Sequence, residues 1–422
     1  MTSSPAGRGR AAGHVTAAAG GRSRDTRSLA LGSAVSGLLA YLVFALTTRG
    51  LGATAAGPVS VLWSYWACAG AAFTFPLQHW IARTATAHGE RAVRQTLPRL
   101  CVVALGVSVL LGLLAWLARE PLFHRSDLWF PAMVAAVTLG SSVTGVVRGT
   151  LSARGRFSSV AWSLVAENGF RCLAAGALVA AGSGSVVAFG LCLVAGHLVM
   201  LLWPSALRLG TSGDASGAPS AFAFLASAGV AQLVGQLVLI GGPVLLALAG
   251  GTQREVTTLF AALALFRAPY MLALGMVAQL TIRVTSLVVG GRFDVLDAAR
   301  RRLRLATVAA VVGAAAFGGW LGPPLLRLVF GSDVRLAAGL TAVVAVGCTL
   351  AVVNLVVMVG ALARGRTTPV AHVWLVAVVA AGVAFVALSP LSPVSELQAV
   401  VWCFLAAETV ALVGLSVVEQ RG

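Results

Sequence analysis

Four charged side chains lie inside long apolar stretches of the chain and are the strongest candidates for chemistry: Glu167, Arg171, Arg267 and Glu408. A charge in apolar surroundings is costly, so it needs a partner or a ligand. A guanidinium group can bind phosphate through two parallel hydrogen bonds. These residues predict binding of an anion, with Glu167 or Glu408 as the carboxyl group that couples binding to an ion gradient.

The sequence leaves the partners of these charges open. Glu167 and Arg171 are four residues apart with the acid first, so they can pair on one helix face, either as a structural pair or as part of a cavity lining. Arg267 precedes Pro269, and a proline removes a backbone hydrogen bond and can bend a helix toward an internal space. The partner of Arg267 is a carboxylate such as Glu408 or the phosphate of a substrate, and we favour the substrate.

The composition identifies the apolar stretches as membrane spans. The chain is 58% hydrophobic and 10% charged, with a mean hydropathy of +0.92, which excludes an ordinary soluble domain. The net charge of +17 comes from thirty arginines and no lysine. They are spread along helix ends, so we expect contact with anionic lipid headgroups and not with nucleic acid. The six cysteines have no metal-ligand spacing and there is no P-loop, which predicts no metal, cofactor or nucleotide.

We therefore predict an all-α polytopic protein with about twelve transmembrane helices. Of the thirty arginines, 22 fall on one side of these spans and six on the other. Because basic connections stay on the cytoplasmic side, both termini are predicted to be cytoplasmic, in a multi-pass protein of the inner (plasma) membrane. The predicted spans are residues 28–48, 59–82, 100–118, 128–147, 158–182, 185–207, 221–249, 257–282, 304–322, 336–362, 369–388 and 396–418.

The two halves of the chain repeat the same short motifs at the ends of their spans. Ser126-Asp127-Leu128 before the fourth span recurs as Ser332-Asp333-Val334 before the tenth, and Arg154-Gly155-Arg156 recurs as Arg364-Gly365-Arg366. This pattern predicts two six-helix bundles related by pseudo-two-fold symmetry, with a cleft between them. The predicted regions are a disordered cytoplasmic tail 1–27, bundles 28–207 and 221–418, a cytoplasmic linker 208–220 and a cytoplasmic end 419–422.

Glu167 and Arg171 are absent from the second copy of this repeat. The corresponding positions are Ala377 and Ala381, so the pair is not required by the shared bundle architecture. The connections on the arginine-poor side are too short for a folded catalytic domain. No acidic motif lies on a loop of useful size, which disfavours a membrane glycosyltransferase, and we predict that the protein is not an enzyme.

Several short motifs resemble the polysaccharide flippase branch of the multidrug/oligosaccharidyl-lipid/polysaccharide exporter superfamily. They are Arg49-Gly50-Leu51-Gly52, Arg148-Gly149-Thr150-Leu151, Glu167 with Arg171, and Arg267-Ala268-Pro269, in the family's order. The resemblance implies alternating access in two six-helix bundles and transport of an isoprenoid-diphosphate-linked glycan to the outer leaflet. It further implies pathway partners such as glycosyltransferases or a polymerase.

The resemblance also implies a set of substrate-binding residues. In the related lipid II flippases, arginines of the first, second and eighth helices grip the diphosphate, which suggests Arg49, Arg83 and Arg267 here, with Arg171 assisting. Two alternatives remain: a drug or metabolite exporter of the same fold, and a non-transporting scaffold of envelope assembly. A cationic drug calls for uncompensated acids, whereas a scaffold would keep its function without Arg267.

Overall fold

The computed structural model describes residues 8–213, 220–364, 366–388 and 395–420. These residues form eighteen α-helices and no β-strand. The helices are α1 (Arg8–Ala55), α2 (Gly57–Ala69), α3 (Phe75–His88), α4 (Glu90–Leu117), α5 (Arg119–Phe123), α6 (Trp129–Ala153), α7 (Phe157–Ala180), α8 (Val186–Ala195), α9 (Pro204–Leu207), α10 (Ala221–Ile240), α11 (Gly242–Leu248), α12 (Gln253–Phe266), α13 (Ala268–Val289), α14 (Phe293–Trp320), α15 (Gly322–Phe330), α16 (Ala338–Ala363), α17 (Thr367–Leu388) and α18 (Glu396–Gln420).

Each of the twelve predicted spans has a helical counterpart. Within the described residues, seven helices are long and apolar enough to cross a bilayer: α1 from Ser28 onward, α4, α6, α14, α16, α17 and α18. The other five spans correspond to α7 and to four interrupted segments. These are α2 with α3 across a π-helical turn, α8 with a following 3-10 segment, α10 with α11, and α12 with α13. The predicted all-α fold with about twelve crossings is confirmed.

Two of the interruptions occur at glycine and proline. Gly241-Gly242-Pro243 interrupts the seventh predicted span, because α10 ends at Ile240 and α11 begins at Gly242. Likewise α12 ends at Phe266, and Pro269 lies in the first turn of α13, where its missing N–H breaks no helical hydrogen bond. The bend next to Arg267 therefore follows directly from the sequence.

Several helices extend beyond the apolar runs that predicted them. α1 begins at Arg8, ahead of the first predicted span. The disorder predicted for the tail 1–27 stays a prediction. α4 begins at Glu90, and α6 continues to Ala153. An apolar run marks only the hydrocarbon part of a helix, because polar residues can continue the same helix into the headgroup region.

The helices form two bundles, α1 to α9 and α10 to α18, that meet along a seam lined with aromatic rings. Phe44 of the first bundle lies 4.5 Å from Phe260 and 5.4 Å from Phe330 of the second, measured between ring centroids. Trp63 of the first bundle lies 6.3 Å from Phe260. All four rings are buried, and such ring contacts add to the hydrophobic stabilisation of the seam. We call these four residues the aromatic seam.

The start of the predicted linker 208–220 is attached to the first bundle. The Glu90 carboxylate accepts two hydrogen bonds from the Arg154 guanidinium, at 2.6 and 2.9 Å, and a third from the backbone N–H of Gly210 at 2.5 Å. Linker residues 214–219 lie outside the described residues. The beginning of the linker is therefore held against the first bundle, through the Gly210 N–H to Glu90 and the Arg208 carbonyl to Arg154.

Candidate functional site

Glu167 lies at the centre of a buried cluster that we call the ion network, formed by Arg148, Glu167, Asn168 and Arg171. Its Oε1 accepts a hydrogen bond from Nη2 of Arg171 and its Oε2 one from Nη2 of Arg148, both at 2.6 Å. The exposed fractions are 3% for Glu167, 0% for Arg171 and 6% for Arg148. The predicted pair of Glu167 and Arg171 therefore forms, but a second guanidinium also binds the carboxylate.

Every nitrogen of the Arg171 guanidinium has a partner within the first bundle. Nε donates to the Leu193 carbonyl at 2.9 Å and Nη1 to Oδ1 of Asn168 at 3.0 Å, while Nη2 binds Glu167. A Cβ added to Gly196 would lie 2.2 Å from Nε, so only glycine allows the guanidinium this close. Because Nε, Nη1 and Nη2 of Arg171 are each bound within the first bundle, the geometry favours the structural alternative.

The sequence did not indicate that Arg148 belongs to the ion network. The apolar run of the fourth span ends at residue 147, which places Arg148 in the following connection. In the structure α6 continues to Ala153 and holds the Arg148 side chain against α7, where Nε also donates to Oγ of Ser163 at 3.0 Å. The network carries two guanidinium groups and one carboxylate, and Nε2 of His197 lies 3.9 Å from Oε1 of Glu167.

Arg267 has a different environment, at the seam between the bundles. It lies at the junction of α12 and α13, with its Cζ 5.6 Å from the centroid of the Phe260 ring. It interacts electrostatically with Tyr41 and Cys68 of the first bundle and with Cys348 of the second. Its Nε is buried and has no hydrogen-bond partner among the described residues. Arg267 is thus a seam guanidinium with an unfilled donor.

Aromatic rings separate Arg171 from Arg267. The Arg171 guanidinium lies over the Trp66 ring at 4.4 Å, a distance typical of a cation–π interaction. Between ring centroids, Trp66 lies 5.9 Å from Trp63, and Trp63 lies 6.3 Å from Phe260. Phe260 in turn contacts the Arg267 guanidinium. The two arginines therefore do not form one guanidinium-lined chamber.

Glu408 is the second buried carboxyl group, and its partner is an amide. Oε2 of Glu408 accepts a hydrogen bond from Nδ2 of Asn354 at 2.8 Å, and the same amide donates to the Glu408 carbonyl at 2.9 Å. Glu408 has no ion pair within the described part of the chain, so it does not neutralise Arg267. Oδ1 of Asn354 is buried there without a donor. A lone asparagine inside an apolar span was the available signal for this pair.

The other two predicted arginines lie near opposite ends of the molecule. Arg83 is exposed on α3, on the arginine-rich side. Arg49 lies on the arginine-poor side, where its guanidinium donates to the carbonyls of Leu328 and Val329 at the end of α15. Cations near the C-terminus of a helix are stabilised by the exposed carbonyls there. The structure therefore does not bring Arg49, Arg83, Arg171 and Arg267 together.

Arg49 is one of three contacts that join the two bundles on the arginine-poor side, which together we call the seal. Oγ of Ser60 donates to Oγ1 of Thr257 at 3.3 Å. Nε2 of Gln253 donates to the Phe123 carbonyl at 3.4 Å. Gly57 also packs closely on Gln253: a Cβ added to Gly57 would lie 2.6 Å from the Cβ of Gln253. These contacts hold the two bundles together on this side.

Replacing Arg49 with alanine is expected to weaken the seal. The change removes two hydrogen bonds from a charged donor, each worth about 1.5–3 kcal/mol, and so shifts the population toward conformations that are open on the arginine-poor side. Spin labels at the exposed positions Thr54 and Arg335, one on each bundle, would report the shift as a longer distance component in the alanine variant.

Arg327 provides the matched control for this measurement. It is an exposed arginine of α15, the helix whose carbonyls Arg49 binds. Within the described residues it makes no hydrogen bond to the first bundle. Arg327→Ala should leave the label distances unchanged. An unchanged distribution in Arg49→Ala as well would show that the two hydrogen bonds do not hold the bundles together.

Solved structures share the whole fold of this chain. The structure matches the inward-facing conformation of a multidrug resistance MATE family transporter of the MOP superfamily with a TM-score of 0.69 and 14% identity, over 91% of this chain and 94% of that one. It matches the lipid II flippase MurJ in an inward closed conformation with a TM-score of 0.65 and 10% identity, over 94% and 87%. No protein-family model and no curated protein matches the sequence.

A third solved structure, an outward-facing MATE family transporter of the MOP superfamily, matches with a TM-score of 0.59 at 13% identity, over 94% of this chain and 95% of that one. The chain therefore has the fold shared by MATE transporters and MurJ, as the motif resemblance implied.

Proposed function

We propose that this protein is an alternating-access transporter that flips an isoprenoid-diphosphate-linked glycan from the inner to the outer leaflet for cell-envelope polysaccharide synthesis. The observation that carries the proposal is Arg267, a guanidinium at the seam of the two bundles whose Nε has no partner among the described residues. A diphosphate supplies two adjacent anionic oxygens, which match the donor geometry of arginine.

The surroundings of Arg267 suit such a headgroup. Phe260 lies beneath the guanidinium, and the buried hydroxyl of Tyr41 interacts with Arg267 from the first bundle. A guanidinium with an unfilled Nε, a neighbouring hydroxyl and an aromatic face can together bind a phosphate and the first sugar. In the inward-facing state the glycan lipid would enter from the cytoplasmic leaflet, and opening of the seal would release it on the other side.

Glu408 is the better of the two coupling candidates. Glu167 is held by two guanidinium groups, so its protonation would leave two buried cations uncompensated. Glu408 is 1% exposed, and among the described residues its carboxylate is bound by Asn354 and forms no ion pair, so a proton or a small cation can neutralise it without breaking an ion pair there. Loading this site in the second bundle would change the charge beside the seam during each transport cycle.

Replacing Glu408 with glutamine is expected to abolish the response of transport to a pH gradient. For one coupled proton the driving force corresponds to about tenfold per pH unit in the transport equilibrium, and glutamine cannot carry that proton. Flipping in proteoliposomes with and without an imposed gradient would measure this response. Glu396→Gln, a half-buried acid at the first residue of α18, should retain it. A full response in Glu408→Gln would exclude this residue as the proton carrier.

We further propose that both termini are cytoplasmic and that the protein lies in the inner membrane, alongside the glycosyltransferases or polymerase of the same pathway. The arginine distribution supports this orientation, because 22 of the thirty arginines fall on the side of the termini. Membrane lipids and the anionic glycan lipid are its proposed partners, and the protein itself is proposed to have no enzymatic activity.

The proposal is tested by leaflet-resolved measurement of lipid-linked glycan in cells that lack the protein and in complemented cells. Inner-leaflet accumulation only in the absence of the protein would support flipping. Unchanged distribution accompanied by increased drug sensitivity would favour the exporter alternative. An envelope defect with unchanged leaflet distribution would favour the scaffold. The buried guanidinium of Arg267 at the seam argues against cationic drugs as the principal cargo.

A further inference from the structure

A groove on the outside of the second bundle has the polarity of an amphiphile. It lies between α14, α16 and α18 on the arginine-rich side and has a volume of about 240 Å³. Arg300 and Arg304 line one end, and Val308, Val353 and Leu412 line the other. Val308 follows Arg304 by four positions, which is about one helical turn or about 6 Å along the helix axis. The lining therefore changes from cationic to apolar over a short distance.

The cationic end of this groove retains unpaired charge. Arg300 binds Asp297 at 2.9 Å and Glu419 at 2.9 Å, and Arg364 binds Glu419 at 3.4 Å. The Glu419 carboxylate at the groove is therefore already matched by two guanidinium groups. Arg304 is exposed, lines the groove and has no ion pair within the described residues. Its charge remains available to an anion.

The position of the groove limits the molecules that can reach it. Leu305, Val308 and Val312 on α14 have exposed fractions of 74%, 65% and 65%, and only 6% of the most apolar window of this helix is buried in the protein. A face this apolar on a membrane-spanning helix lies against lipid. The groove thus opens laterally into the bilayer next to the arginine-rich surface, where the phosphates of phospholipids lie.

We propose that this groove binds an anionic phospholipid of the leaflet on the arginine-rich side. The phosphate binds Arg304, and an acyl chain lies along Val308, Val353 and Leu412. The bound lipid contacts three helices next to the junction where Glu419 joins α14, α16 and α18, so it adds to the packing of the second bundle. This site is separate from the seam and does not depend on the transported substrate.

The proposal is tested by titrating the purified full-length protein in nanodiscs with phosphatidylglycerol and following the lipid that stays bound by native mass spectrometry. We expect binding of phosphatidylglycerol to the wild type to exceed that of phosphatidylcholine. Arg304→Gln should weaken phosphatidylglycerol binding about fivefold, the effect of one arginine at an anionic membrane surface. Arg301→Gln is the matched control, because Arg301 is exposed on the same helix but does not line the groove.

Two further arms separate lipid binding from simpler explanations. Val308→Trp places a ring in the groove without changing charge, and it should weaken phosphatidylglycerol binding while Arg301→Gln leaves it unchanged. Soluble glycerol phosphate should not compete at equal headgroup concentration. Equal losses in Arg304→Gln and Arg301→Gln would indicate only a general surface attraction and would overturn the proposal. Competition by glycerol phosphate, or no effect of Val308→Trp, would overturn the assigned acyl chain.

Discussion

Replacing Arg267 with alanine is expected to abolish flipping while the protein still folds and reaches the membrane. Within the described residues Arg267 forms no ion pair and its Nε makes no hydrogen bond, so we expect its removal to affect stability less than transport. Binding of the substrate would instead lose its charged donor. Truncating one partner of a buried, hydrogen-bonded charge pair costs about 2–5 kcal/mol, or roughly 30-fold or more in affinity. Leaflet-resolved glycan assays in complemented cells would report the loss.

Two variants make this result specific. Arg267→Lys keeps the charge but not the two-pronged donor geometry, so it should restore only part of the activity. Arg283→Ala removes an exposed arginine from the same helix α13, near its arginine-rich end, and should flip normally. Normal flipping in Arg267→Ala would exclude the seam guanidinium as the substrate ligand, even if transport itself were established.

Replacing Glu167 with glutamine is expected to unfold or strongly destabilise the first bundle. The carboxylate binds two guanidinium groups that are 0% and 6% exposed, and its loss leaves both cations buried without a counter-charge. Breaking a buried pair in this way typically costs about 3–5 kcal/mol. Thermal or denaturant unfolding of the purified protein in detergent would measure the loss.

Combining Glu167→Gln with Arg148→Gln should recover part of that stability. The wild-type network has two guanidinium groups and one carboxylate, and the double variant keeps Arg171 alone, so the net charge is the same in both. A double-mutant cycle would then give a large coupling energy between the two positions. Glu120→Gln, an exposed acid of the first bundle, is the control. Equal stability of Glu167→Gln and the wild type would show that the network does not hold the bundle together.

The contrast between these two sites explains why the same residue type has different roles. Arg171 has a partner for every guanidinium nitrogen, so it serves the packing of α7 against its neighbours. Arg267 lies across the aromatic layer with a vacant donor. Both arginines lie in apolar stretches of the sequence, although only Arg171 has an acid four residues before it. Their hydrogen-bond partners in the folded protein distinguish their roles.

The sequence by itself determined the membrane architecture. A bilayer accepts only helices of sufficient apolar length, so the apolar runs predicted all twelve crossings. The breaks at Gly241-Gly242-Pro243 and next to Pro269 were also predictable, because proline lacks the N–H that an uninterrupted helix requires. The four charges within spans were recognisable as sites of interest, because charge in hydrocarbon is costly wherever it occurs.

Only the tertiary structure decided which charged side chains form pairs and which keep an unfilled hydrogen-bond donor. Arg148 reaches Glu167 because α6 packs on α7, a contact between residues 19 positions apart that no local spacing predicts. Asn354 meets Glu408 across 54 positions, and Arg49 meets Val329 across 280. Hydrogen bonds depend on distances of a few tenths of an ångström and on orientation, both of which are set by helix packing and not by the order of residues.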